Sequence, residues 1–547
     1  MKVRLTAATQ EWMPGGAFHR DFVYQFPRVA PFFAYDHRSI GSTIRRRKHL
    51  AGWRGDRRRL SELLLRDNTR WGADPDALES AVELRRENVY VVSAQVRPSV
   101  LGGSGSVLLK VLSLLEYARR LASAAGTRVI PVLWVVSDHN WGIIGRVPCA
   151  DVDGRIRSLA LKPDPPGCPS AGEIPVHPGI DRLLGEFEAA VGADAGDSEV
   201  VKLIRRVSRE SETVAECFCR LMCELFSGRG LLLVDGSSPG LRELVAPILQ
   251  RAAVRRRRVD GELAVGAERL SAKGYSVPFP AGAGRSHIFA DSGRGRVQLF
   301  LEDGRLRDAS GNVDIDAAAL AQLIADEPHR FSPGEALRPA VQDLVLPVLA
   351  HIVGGEEASC RAQGKGIHSL FEGAMPPLFP QMSLTFIEPG VAAEMARRDI
   401  PVDALVRDSQ FDQLLGSALA ALGEEHIETV LREAWDRIDR AHGRMRSALE
   451  EQVPSLKRVG EVNAVRIRRQ IEYYDRKARQ HHRRRHREVV RGYRLVRNRL
   501  RPPGKTQEDL SYLPLMVRRG TGWMGDLLEV ASAEEKLWGH FFVEWAE

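Results

Sequence analysis

No long hydrophobic run occurs in this chain. The longest uninterrupted apolar stretches are about eight residues, far short of the roughly twenty that a membrane-spanning helix needs. Met1 to Arg20 carries scattered charges and no apolar core, so a secretory signal is not expected. Cysteine is scarce, with 6 in 547 residues, which excludes a disulfide framework and points to a reducing cytoplasm. Cys217, Cys219 and Cys223 fall in one helical pattern. Their i, i+2, i+6 spacing spreads them around a helix, so they read as buried or half-buried thiols, and no metal ligand is assigned. Internal repeats are missing too, and the only low-complexity tract is rich in arginine.

What is present describes a soluble globular protein. Hydrophobic residues make up 44% and charged residues 27% of a chain long enough for two or three domains. The net charge of +8 is localised. Arg476 to Arg501 holds twelve Lys or Arg against Glu488, a segment of +11 that leaves the remainder at −3. Such a run reads first as a solvated helix face. With Tyr493 its one aromatic, it offers no stacking platform, so nucleic acid is not expected as a partner.

Chemistry is concentrated between Asn88 and Asn140. Val89-Tyr90-Val91-Val92 is a short strand of the kind buried on both faces. Leu101-Gly102-Gly103-Ser104-Gly105-Ser106 is a glycine-rich loop, Val107 to Ala122 is a breaker-free helix closed by Gly126, and Val129 to Val136 is a second strand. This is a βαβ unit, whose right-handed crossover brings both strand ends to one sheet edge, where ligands of open α/β sheets bind. Backbone N–H groups at Gly102, Gly103, Ser104, Gly105 and Ser106 could cradle a phosphate at the helix start. Asp138 and His139 arrive at the same edge, as an acid/base or cation-binding pair. The loop fits neither the dinucleotide fingerprint nor the P-loop, and a plain turn is the competing reading. Leu231 to Val234 is a third buried strand, ending in Asp235 with Ser238 just beyond.

The rest sets the organisation. Residues 1–87 read as a helical segment of the core. Residues 88–420 read as a Rossmann-like core with insertions at about 150–210, where Pro163 to Gly167 signals a loop, and 255–330, where Asp303-Gly304 marks a hairpin. Residues 421–502 read as two long helices around Pro454, the second running unbroken from Leu456 to Leu500, in an antiparallel coiled-coil hairpin. Residues 503–547 would pack back on the core.

Three blocks resemble the bacillithiol-biosynthesis cysteine-adding enzymes. The first is Ser93-Ala94-Gln95-Val96, Gly103 to Gly105, Lys110, Pro131 to Trp134 and Ser137-Asp138-His139-Asn140. The second is Leu337 to Asp343 with Gly354-Gly355, Glu357, Ala362-Gln363 and Met375-Pro376; the third is Pro503 to Glu508. The resemblance implies an α/β fold, a Rossmann-like parallel-sheet core akin to class I synthetases and nucleotidylyltransferases, with insertions and a C-terminal coiled coil that dimerises. It implies a ligase that joins cysteine to the amino group of glucosaminyl-malate, with ATP and Mg2+ as cofactors, because an amide made from a free carboxylate needs activation. Catalytic roles then fall to His139, Asp138 and Arg338. Nucleotide contacts fall to the glycine loop, Lys110, Asp235 and Ser238, and substrate contacts to Gln95, Asn140, Gln342, Asp343, Glu357 and Gln363. Arg338 could instead pair internally with Asp343. Ala94, Val96, Ser137 and Asn140 depart from the family pattern, so a ligase diverted to another amino acid or acceptor is the neighbouring reading. A nucleic-acid-binding or non-catalytic partner protein is the alternative.

Overall fold

The computed structural model describes residues 3–545 except 139–143, 153, 163–168, 281, 283 and 294. It divides into two compact units: Met1–Phe386 with Thr506–Glu547, and Ile387–Lys505.

The first unit opens with β1 (Val3–Ala7) and is built on a five-stranded parallel sheet. Its strands are β2 (Tyr90–Val96), β3 (Val129–Val135), β6 (Leu232–Asp235), β12 (Val348–Val353) and β13 (Leu378–Pro380), in the order β13-β12-β2-β3-β6. The chain winds outward from β2 to β3 and β6, then returns to the other side of β2 as β12. The order therefore reverses between β2 and β12, which is the switch point where such sheets open a crevice.

Strand alternation builds two core layers. Val92, Ala94, Val96, Leu133 and Val135 face one layer with Leu108, Leu112 and Leu115 of α1 (Gly105–Ala125). Val91, Ile130, Val132 and Trp134 face the other with Leu241, Val245 and Leu249. Gly126, left-handed at φ 57°, ends α1. The open edge of β6 is closed by a side chain: Asn68 accepts from Leu233 N at 3.0 Å and donates to Leu233 O at 2.9 Å.

The first insertion carries the hairpin of β4 (Arg146–Ala150) and β5 (Ile156–Ala160), followed by helices. The stretch Pro163 to Gly167 lies outside the described residues. The second insertion forms an antiparallel sheet with β7 (Arg285–Asp291), β8 (Arg296–Glu302), β9 (Arg305–Arg307), β10 (Asp314–Asp316) and β11 (Phe331–Pro333). Asp303 and Gly304, both at positive φ (47° and 78°), make the two-residue turn between β8 and β9.

Residues 1–87 are not wholly helical. β1 pairs antiparallel with β15 (His540–Trp545), beside β14 (Ser383–Ile387). The partner strand of β1 lies more than 500 residues away, so nothing local to the first residues announces the pairing.

The second unit is helical. α4 (Glu425–Gln452) and α5 (Lys457–Arg485) meet through Asn463–His442 at 3.4 Å and Arg479–Glu428 at 3.4 Å. Partners that approach as the numbers diverge define an antiparallel hairpin turning at Pro454. The second helix is not continuous to Leu500: it breaks at His486, and α6 (Arg487–Leu500) follows. The break falls where Arg483, Arg484, Arg485 and Arg487 crowd like charge at helical spacing, with no proline or glycine to mark it. Part of the basic run is neutralised within the unit, Arg479 by Glu424, Glu428 and Asp475, and Arg497 by Asp408. Among the described residues no helix is long and apolar enough to cross a membrane.

Candidate active site

A cavity of about 540 Å³ opens at the carboxyl ends of β2 and β12, the switch point of the sheet. Gln95, Val96 and Arg97 come from the end of β2, and Ser104, Ser106 and Lys110 from the loop and first turns of α1. Arg338 comes from α2 (Arg338–Val345), and Glu357, Cys360 and Arg361 from α3 (Glu357–Gln363). Gly354, Gly355 and Gln381 complete the β12 side.

Its charged groups are held deliberately. Lys110 Nζ lies 2.6 Å from Glu357 Oε1 and donates to Gln95 O at 3.1 Å. The second oxygen, Glu357 Oε2, is buried and accepts nothing among the described residues. Arg361 is 2% exposed and donates through Nη2 to Gln342 Oε1 at 3.2 Å. Gln342 in turn donates to Gln95 Oε1 at 3.4 Å. Nε and Nη1 of Arg361 have no partner among the described residues, and burial lowers its pKa. Cys360 beside it stays a thiol, its pKa pushed up to about 12 by burial.

Of the residues singled out in sequence, Gln95, Ser104, Ser106, Lys110, Arg338 and Glu357 share this cavity, with Gln342 directly behind it. The loop glycines are accounted for by the fold. Gly102 and Gly103 take positive φ (77° and 81°), and a Cβ on Gly105 would run into the Tyr512 ring. The Gly105 N–H is already donated to Leu510 O at 2.6 Å.

Arg338 does not pair with Asp343. Its Nη2 lies 3.5 Å from Asp138, which Arg296 also approaches at 3.6 Å. Asp138 is 2% exposed and is not on the cavity wall. Asp343 instead accepts from His351 Nε2 at 2.5 Å and His368 Nε2 at 2.8 Å. The sequence offered Arg338 as its partner; the carboxylate instead turns to His351, eight residues on in β12, and to His368, twenty-five residues on. Burial would raise the Asp343 carboxyl, but the two imidazoles hold it well below the usual range. Burial, then Arg361, pushes His351 down to about 4, so it donates as a neutral ring.

Gln363 clamps backbone, accepting from Phe279 N at 2.8 Å and donating to Phe279 O at 2.7 Å. Asp235 accepts from Ser137 and from Ser237, and Ser238 donates to Asp67 at 2.7 Å, all at the end of β6. His139 and Asn140 lie outside the described residues.

Three contributors had not been singled out. Arg361 follows Glu357 by one helical turn, a spacing that could have flagged it. Gln381 donates to Ser106 Oγ at 3.1 Å and to Glu508 Oε2 at 3.4 Å. Glu508, in the third block of resemblance, is 2% exposed, and burial pushes its carboxyl up to about 8.

A second cavity of about 680 Å³ lies near the start of β12, lined by Arg46, Trp53, Arg54, Arg251 and Phe371 among others. Arg46 there donates to Val348 O and Ala374 O, and the Arg251 guanidinium stacks over Phe371.

Two family profiles match the chain: "Bacillithiol biosynthesis BshC, N-terminal Rossmann-like domain" over residues 1–382 and "Bacillithiol biosynthesis BshC, C-terminal coiled-coil domain" over residues 384–537. A protein of Symbiobacterium thermophilum named "Putative cysteine ligase BshC" is 28% identical over 96% of this chain and 97% of its own length. One of the same name from Desulforamulus reducens is 25% identical over 95% and 96%.

Proposed function

Because the chain belongs to the BshC family of bacillithiol biosynthesis, we propose that it is a carbon–nitrogen ligase that joins L-cysteine to the amino group of glucosaminyl-malate at the expense of ATP. The observation that carries this reading is the cavity at the switch point, where Lys110, Glu357, Arg338 and Arg361 converge.

The chemistry needs such a place. A free carboxylate does not condense with an amine in water, so its oxygen must first become a leaving group, as an acyl-adenylate or acyl-phosphate. The cavity suits a nucleotide's charge: Lys110, Arg338 and the hydroxyls of Ser104 and Ser106 offer donors to phosphate oxygens. Among the described residues no group of three His, Cys, Asp or Glu side chains could hold a metal ion, so Mg2+ would enter with the phosphates. ATP, when bound, supplies the leaving group. The chain's part is to hold the carboxylate, the amine and the phosphates together, which converts an encounter into a positioned reaction.

The proposal extends to a homodimer through the hairpin of α4 and α5, where Val430, Ile438, Met445, Leu449, Val459 and Val462 are exposed. It also extends to a reducing cytoplasm, where Cys149, Cys217, Cys219, Cys223 and Cys360 would remain free thiols. Ser137, a departure from the family pattern, is buried against Asp235 and away from the cavity wall. Its change therefore bears on support of the strand end and not on substrate contact.

The test is product formation. Purified protein, ATP·Mg2+, glucosaminyl-malate and each amino acid in turn are incubated, and the condensed product is sought by mass spectrometry. Product with cysteine supports the reading. Product with another amino acid alone shows a diverted ligase, and no product with any of them sinks it.

A further inference from the structure

We propose that Glu357 and Arg361 form the seat of an α-amino acid in its zwitterionic form, Arg361 taking the carboxylate and Glu357 the ammonium. The inference rests on the ligase reading above and assigns the amino-acid donor to one wall of the cavity.

Arg361 is an unusual cation. Its side chain is buried, its pKa is lowered by that burial, and it makes no ion pair among the described residues. Its one hydrogen bond goes to a neutral amide, Gln342 Oε1. Among the described residues the N–H groups at Nε and Nη1 are buried without a partner. Asp343 and Glu357 lie near enough to act on the charge of Arg361, but neither accepts a hydrogen bond from it among the described residues. Buried guanidinium N–H groups left unmet are costly, and a ligand carboxylate in the cavity would meet them. The relay Arg361–Gln342–Gln95 fixes the head of the side chain, so its unused edge is presented in one orientation.

Glu357 sits one helical turn earlier on α3, so both side chains lie on one face and both line the cavity. Lys110 occupies Oε1, while Oε2 is buried and accepts nothing among the described residues. An acceptor carboxylate oxygen beside a donor guanidinium is complementary to an ammonium beside a carboxylate, which is the head of every α-amino acid. A phosphate would suit Arg361 but would also meet Glu357 Oε2, which Lys110 leaves uncovered, so this end of the cavity favours the zwitterion and the phosphates fall to Lys110, Arg338 and the two serines. The carboxylate held by Arg361 is also the group that the ligase must activate.

Calorimetric titration of the full chain with L-cysteine, cysteamine (no carboxylate) and 3-mercaptopropionate (no amine) tests the seat. Arg361→Met is expected to weaken L-cysteine about tenfold or more and to leave cysteamine unchanged. Glu357→Gln is expected to weaken L-cysteine and cysteamine alike and to leave 3-mercaptopropionate unchanged. Thermal melts confirm that both variants fold; if Arg361→Met does not, Glu357→Gln decides. Loss of ATP affinity in Arg361→Met with cysteine binding intact overturns the seat. So does equal weakening of all three ligands, or no binding of L-cysteine to the parent protein. Product formation is scored separately: turnover without the predicted discrimination removes the seat and keeps the ligase, and the reverse pattern removes the ligase and keeps the seat.

Discussion

Glu508 offers a measurable consequence of burial. The carboxyl is sealed under β14 and β15, accepting from Ser383 Oγ at 2.5 Å and from Gln381 at 3.4 Å. Ser383 is itself 2.7 Å from His540 Nδ1. Burial pushes its pKa from an ordinary 4.5 to about 8, so the folded chain keeps a proton that the unfolded chain releases. Between those two values the unfolded state binds fewer protons, and stability must fall as pH rises. At about 1.4 kcal/mol per pH unit, the loss between about pH 5 and pH 8 is about 4 kcal/mol at most. Below the unfolded value both states are protonated and the stabilising contacts of the neutral acid are fully present. Glu508→Gln keeps the shape and removes the proton. Urea unfolding of both proteins, followed by tryptophan fluorescence across that pH range, should give curves that diverge, the variant gaining on the parent as pH rises. Parallel curves would show that Glu508 is ionised in the folded protein and refute the reasoning.

Three further outcomes are expected. Lys110→Met strips Glu357 of its partner, and activity should fall about a hundredfold or more with the circular dichroism spectrum unchanged. Asn68→Ala leaves the Leu233 N–H and C=O without partners on a buried strand edge and should lower unfolding free energy by about 2–4 kcal/mol in urea titrations. Gly105→Ala drives a Cβ into the Tyr512 ring and should cost about 1–3 kcal/mol, read as a lower melting temperature.

Sequence patterns reached the parallel core because its strands are local and strongly apolar. β2, β3 and β6 are buried runs, and α1 ends at a glycine whose role is legible from its neighbours. Asp303-Gly304 was readable for the same reason: two residues fix the turn. Contacts set by distant segments were not readable. β1 needs β15, more than 500 residues away, and Gln363 clamps Phe279 from 84 residues away. Gly105 looked like part of a phosphate loop, yet the Tyr512 ring that requires a glycine there comes from the far end of the chain. Lys110 and Glu357 emerged from the resemblance, whereas Arg361 had only its one-turn spacing from Glu357 to mark it, and its unfilled hydrogen bonds show only in the structure.

If the ligase reaction runs in the cavity at the switch point, substitutions there must cost turnover that substitutions in the second cavity do not. The most direct measurement compares kcat/KM for ATP-dependent product formation in the parent protein, in Lys110→Met and Glu357→Gln at that cavity, and in Arg54→Ala at the second one. A large loss is expected in the first two variants and parent activity in the third. Full activity in Lys110→Met and Glu357→Gln, with loss in Arg54→Ala, would contradict that placement and move the chemistry to the other edge of the sheet.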